Sequence, residues 1–196
     1  MDTPTLSYAY RSRPFAAETR LELGRKELIA WQAGQQYVYP YHAIATIRLF
    51  FAPRGIDMSG YRAKIYSRDG KTISLEDRTF RGMVQVERQG QAYRAFITAL
   101  CRRAATENPQ VLLHSGRNPF MLALSGMLGM ATTGTLAFLG GRAALQGQWL
   151  LAAAIIGFAG LFGFWSWRYV VNNRPRRFVA AAIPEAVLPQ DRPRPA

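Results

Sequence analysis

The chain has 196 residues, 49% of them hydrophobic, and carries 25 Lys and Arg against 12 Asp and Glu, a formal net charge of +13. A single cysteine, Cys101, excludes an internal disulfide framework, and the length suits one modest soluble domain plus something smaller. The charge is uneven: residues 1–117 hold 18 Lys/Arg against 10 Asp/Glu, residues 118–167 hold Arg142 alone, and residues 168–196 hold six Arg against Glu185 and Asp191. Basic residues that flank an apolar block point to a lipid surface. Without a dense Lys/Arg run or a paired-cysteine finger they point away from nucleic acid.

The first residues, MDTPTLSYAYRSRPF, lack the charged start and apolar core of a signal peptide, which predicts a cytoplasmic soluble part. Residues 7–88 read as short strands separated by turn signals. Leu21 and Leu23 alternate with charges. Glu27 to Gln32 makes a second strand, Ala33-Gly34 a turn, and Gln35 to Tyr39 the return. Ile44, Ile47 and Leu49 lead to Phe51. Tyr61 to Glu76 predicts a hairpin with Tyr61, Ala63 and Ile65 on one face and Arg62, Lys64 and Tyr66 on the other. A three-residue loop, Arg68-Asp69-Gly70, pairs Ile65 with Ile73 and Ala63 with Leu75, whereas a two-residue loop would put the apolar sets on opposite faces. Residues 81–87 offer one more strand. Tyr93, Phe96, Ile97, Leu100 and Cys101 then recur at helical spacing, which predicts a helix over 91–107 with Cys101 as a small apolar residue of its buried face. Asn108-Pro109 stops it, and Val111 to His114 is a short extended piece.

Pro119 to Gly141 and Gln148 to Trp167 are uncharged runs of 23 and 20 residues, each long enough to cross a hydrocarbon core as a helix. The short connection from Arg142 to Gly147 makes them an antiparallel pair over about 119–141 and 148–168. Arg102, Arg103 and Arg117 precede the pair, and Arg168, Arg174, Arg176 and Arg177 follow it. Against Arg142 alone in the loop, this bias places both termini in the cytoplasm. Trp149, Trp165, Trp167 and Tyr169 stand where interfacial aromatic belts are expected. Ser125, Gly129, Thr133, Ala137 and Gly141 recur every four residues. Ala153, Gly157, Gly160 and Gly163 form a similar stripe on the second helix, so the helices pack on each other or on a further membrane helix. Neither span contains an acid, Lys or His, which argues against a transporter. Beyond Val179 the tail is rich in Ala and Pro. It is expected to be irregular at its end, with Ile183, Val187 and Leu188 free to dock on the domain or on the membrane surface.

Strands followed by one amphipathic helix are the layout of a pleckstrin-homology-like (PH-like) fold. Leu21-x-Leu23, Leu28-x-x-Trp31, Gly34 and Val38-Tyr39-Pro40-Tyr41-x-x-Ile44-x-x-Ile47 resemble the pattern of bacterial PH-like domains over residues 15–107. With the stretch Asn173-Arg174-Pro175-Arg176-Arg177-Phe178, the whole chain resembles small bacterial inner-membrane proteins that place such a domain before a helix pair. The resemblance implies an α+β chain: a PH-like barrel or sandwich of about seven antiparallel strands with a C-terminal amphipathic helix, then a transmembrane hairpin. It divides into 1–117, 118–171 and a basic tail, 172–196, at the bacterial inner membrane. It implies no established activity.

His42 and His114 lack companions at metal-ligand spacing, and no phosphate-binding loop, nucleophile elbow or His-Glu-x-x-His motif is present. Glu76-Asp77 reads as a solvated strand end. No catalytic residue, metal or cofactor is therefore expected. Arg117, Arg168, Arg174, Arg176 and Arg177 are the candidates for holding an anionic headgroup, each able to contribute roughly 1 kcal/mol near a charged membrane surface. The expected function is non-enzymatic recognition of a protein segment or an anionic lipid headgroup, in a groove between sheet edge and helix. Membrane lipids are the expected partner, with a homo-oligomer or a membrane-protein partner beside them and no nucleic acid. An accessory subunit acting through the small-residue faces and a membrane enzyme acting on lipid are the alternatives.

Overall fold

Alternating burial builds the first sheet. In the computed structural model, which describes residues 6–54, 59–83 and 85–190, β1 (Leu6–Tyr10), β2 (Thr19–Leu23), β3 (Glu27–Gln32) and β4 (Gln35–Pro40) pair antiparallel in chain order. Tyr8, Tyr10, Leu21, Leu23, Leu28, Ala30 and Tyr39 point into the core, and the residues between them do not. The β3–β4 turn is Ala33-Gly34, as its sequence predicts. Both residues have positive φ, 50° and 79°, the geometry that suits a two-residue hairpin to strand twist.

A second meander follows: β5 (Ile44–Arg54), β6 (Ser59–Ser67) and β7 (Thr72–Glu76). Ala63 pairs with Leu75 and Ile65 with Ile73, the register expected from the sequence. Ser67 N–H donates to the Lys71 carbonyl at 2.9 Å, closing the three-residue loop, and Gly70 takes φ +83° within it. Where the sequence offers one strand over 81–87, the chain makes a small hairpin of β8 (Arg78–Phe80) and β9 (Val86–Arg88). Next comes α1 (Gly90–Glu107), which buries Tyr93, Phe96, Ile97, Leu100, Cys101 and Ala104. Asn108 stops it and is itself held, donating from Nδ2 to the Ile44 carbonyl at 2.9 Å.

The extended piece after the helix is a true strand, β10 (Leu112–Ser115), which pairs in parallel with β5. A two-residue strand, β11 (Arg176–Arg177), pairs antiparallel with β10, giving the order β11-β10-β5-β6-β7. The described residues thus hold eleven strands in open sheets, not about seven antiparallel ones. The added strands are short or pair in parallel with a distant partner, so they carry little period-2 signal of their own.

The described residues up to Gly116, together with 176–190, form one compact unit, and Arg117–Pro175 forms another. Residues 176–190 are therefore part of the domain. Phe178, Ala180 and Ile183 pack against the core, and Val187 and Leu188 lie within it. The irregular end expected beyond Gln190 falls outside the described residues.

The second unit is α2 (Pro119–Leu145) and α3 (Trp149–Asn172), both long and apolar enough to cross a membrane, with 11% of each apolar window buried. Pro119 takes the first helical position, and Asn118 Oδ1 accepts from Phe120 N–H at 3.0 Å. Both helices outrun their expected ends. Arg142 consequently lies in the last turn of α2, where a cation suits the helix dipole, and the loop shrinks to three residues around Gly147, φ +76°. The helices pack antiparallel. A Cβ on Gly129 would lie 3.0 Å from Ser166 Cβ, one on Gly163 3.3 Å from Thr133 Cγ2, and one on Gly140 2.7 Å from Ile156 Cγ1.

Candidate functional site

Cross-strand register places residues from all five strands of the second sheet on one line, four of them basic. Arg177 pairs with His114, His114 with Arg48, Arg48 with Lys64, and Lys64 with Ser74. The alternate positions, Leu113, Ile47, Ile65 and Ile73, face the core, so this row lies on the outer face. Arg177 is exposed, and Arg48, Lys64 and His114 are part-exposed. Like charges directly opposite one another weaken a sheet. The same sheet shows the favourable alternative two residues away, where Arg62 pairs with Glu76 across β6 and β7 and the two form an ion pair. No described acid pairs with Arg48, Lys64 or Arg177.

His114 sits between two of these cations. Burial, then Arg48, then Arg177 hold its pKa below the usual histidine value. These influences favour the neutral imidazole, and the fixed positive charges of the row are those of Arg48, Lys64 and Arg177.

At its β7 end the row opens into a cleft of about 500 Å³, whose lining includes Tyr10, Arg13, Arg62, Thr72, Ser74 and Glu76. Ser74 belongs to both. Two tyrosines of β1 brace β7 beside the cleft: Tyr10 Oη donates to the Ser74 carbonyl, and Tyr8 Oη donates to the Glu76 carbonyl at 2.5 Å. Burial pushes the Tyr10 phenol up to about 12 and the Tyr8 phenol higher, so both stay protonated as donors.

The five arginines singled out in the sequence go to different places. Arg117 donates from its backbone N–H to the Asn173 carbonyl at 3.0 Å, with its guanidinium 5.9 Å from the Tyr169 ring. Arg168 lies 5.4 Å over Trp165, one turn back on α3. Arg174 is exposed just beyond that helix. Arg176 and Arg177 both fall on β11, but successive strand residues face opposite ways, so Arg177 alone joins the basic row.

Among the small residues, Gly129 and Thr133 on α2 meet Ser166 and Gly163 on α3, and Ser125 is part-buried with its hydroxyl donating to Met121 O. Ala137 and Ala153 are exposed, and a Cβ on Gly141, Gly157 or Gly160 would meet open space. The positions buried between the helices, Leu122, Gly129, Gly140, Ala143, Ala152 and Ala159, step by sevens or by sums of threes and fours. This is the repeat of left-handed helix pairs, and a stripe of strict fours drifts away from it.

Two further sequence readings are revised. Glu76 and Asp77 are buried, not solvated. Glu76 is held by Arg62, while Asp77 Oδ1 accepts from Tyr61 N–H at 3.0 Å and burial raises its pKa. Segments of the chain itself lie at the β5 edge and against Arg94 of α1, where the sequence predicts an open groove between sheet edge and helix. The β5 edge carries β10, and Arg94 on α1 is bridged to Glu185 and donates to the Pro189 carbonyl at 3.4 Å. Cys101 is buried in the core with its thiol pushed up to about 12, as an apolar helix position requires.

The sequence reading missed Arg48, Lys64 and His114. Only Lys64 carried a signal, as the polar neighbour of Arg62 and Tyr66 on the outward face of β6. No family model, curated protein or solved structure matches the chain.

Proposed function

We propose that the protein is a non-enzymatic membrane-anchored module whose PH-like domain binds anionic lipid headgroups on the outer face of its second sheet. The carrying observation is the row Arg177–His114–Arg48–Lys64, four basic side chains on adjacent strands with no acid between them. Charge-assisted bonds from Arg and Lys to phosphate are the chemistry such a face supplies. The PH-like reading is supported by a four-strand meander, a three-strand meander and then a core-packed helix in that order. Strand addition of a foreign peptide at β5 is disfavoured, because β10 already occupies that edge.

Anchoring rests on α2 and α3. The first follows β10 and the second precedes β11, neighbours in one sheet, which supports both ends of the hairpin lying on one side of a bacterial inner membrane. With the arginine bias, that side is the cytoplasm. A second reading, an accessory subunit of a membrane complex, draws on the uncovered Ala153, Gly157 and Gly160. Crosslinking in native membranes that captures a discrete membrane protein on this face would favour it.

The test is lipid retention on the full chain purified in mild detergent. Phosphatidylglycerol is expected to be retained over phosphatidylcholine, and Arg48→Gln with Lys64→Gln to remove most of the excess. Arg177→Glu lowers retention and Arg176→Glu, on the other face of β11, leaves it near wild type. Equal retention of both lipids, insensitive to these changes, refutes the reading.

A further inference from the structure

We infer that the basic row holds two phosphate groups of a single headgroup, one between Arg48 and Lys64 and the other between Arg177 and His114. The inference rests on the reading of this face as lipid-binding and names the class of lipid it selects.

Number, spacing and kind of donor carry the inference. Neighbouring strands stand about 4.8 Å apart, so the row from Lys64 to Arg177 spans roughly 14 Å. One phosphate can engage a guanidinium fork and one adjacent donor, which accounts for two neighbouring strands. The row occupies four strands, and each half contains one arginine: Arg48 beside Lys64, and Arg177 beside His114. Three fixed charges exceed the single charge of one phosphodiester but suit two. Tethering both phosphates in one molecule makes the second contact intramolecular, which favours a bis-phosphate lipid over two separate ones.

The occupant is a membrane lipid on grounds of charge and chain position. Arg177 follows α3, one of the two helices fit to enter a bilayer, after four residues. His114 adds a signature. It faces Arg48 on β5 and Arg177 on β11, with Lys64 one strand further on β6. A phosphate bound there offsets those cations and favours protonation of the ring, so binding takes up a proton and strengthens as the pH is lowered from neutrality.

The experiment uses the full chain in detergent micelles doped with either cardiolipin or phosphatidylglycerol at equal phosphate. Cardiolipin is expected to bind at least about tenfold more tightly. Arg48→Gln and Arg177→Gln, each removing the arginine of one half of the row, should reduce this preference to near one. His114→Gln should abolish the acid enhancement. Arg48→Gln and Arg177→Gln each remove a like-charged neighbour, so their Tm should equal or exceed wild type, and His114→Gln, a neutral-for-neutral change on the outer face, should leave Tm near wild type, which separates loss of binding from loss of fold. Equal affinity per phosphate for the two lipids, still dependent on Arg48, overturns the inference and leaves the headgroup reading standing. No preference for either lipid over phosphatidylcholine overturns both. Displacement of cardiolipin by poly-glutamate at equal charge would assign the face to an acidic protein segment and also overturn the inference.

Discussion

Ala33 holds φ 50° in a turn whose two central residues both occupy the left-handed region. A Cβ disfavours that region by about 1–2 kcal/mol, and Asn tolerates it best among residues with side chains. Ala33→Asn should therefore stabilise the domain by about 1 kcal/mol, read as a rise in Tm of a few degrees. This turn was legible in the sequence because Ala33-Gly34 lies between two alternating strands, and the glycine marks the place. The basic row was not. Arg48, Lys64, His114 and Arg177 come from four segments, and their alignment depends on a parallel pairing and a two-residue strand that leave no periodicity. Glu76 and Asp77 misled for a related reason: a strand end looks solvated until tyrosines from β1 close over it.

The hairpin helices were legible as elements, since a run of 20 uncharged apolar residues has few other uses. Their packing face was harder to read. Small residues every four positions suggest one stripe, but the helices meet on a seven-residue repeat that keeps Gly129, Thr133 and Gly140 and rotates Ala137 outward. Cysteine pairs distinguish the two faces. Gly129→Cys with Ser166→Cys should crosslink within one chain on mild oxidation, seen as a mobility shift reversed by reductant. Ala137→Cys with Gly160→Cys should not, because a Cβ on Gly160 meets nothing within 4 Å. Crosslinking of the second pair within one chain would refute the packing. The α1 helix shows the opposite case. Its apolar positions were read correctly because one face meets one core, with Ala104 extending the same pattern.

Across the whole molecule, the membrane-type hairpin is an insertion between two adjacent strands. Ser115 on β10 lies opposite Arg176 on β11, the geometry a two-residue turn can close. Replacing residues 116–175 by Asn-Gly should yield a domain that stays monodisperse without detergent and melts cooperatively. Ending the chain at Pro175 should instead destabilise it, since each lost side chain of the buried pair Val187 and Leu188 is worth about 2–4 kcal/mol. Thermal unfolding of the two versions, followed by far-UV circular dichroism, checks both outcomes. The same connectivity sets an order in time. A ribosome finishes β1 to α1 well before it makes Val187 and Leu188, and Arg117–Pro175 alone takes roughly 3–12 s to synthesise. During that interval the growing domain lacks part of its interior while the apolar helices are already emerging. The last pieces of the domain's interior are thus made only after both helices, so the domain cannot complete its core until the hairpin has been synthesised.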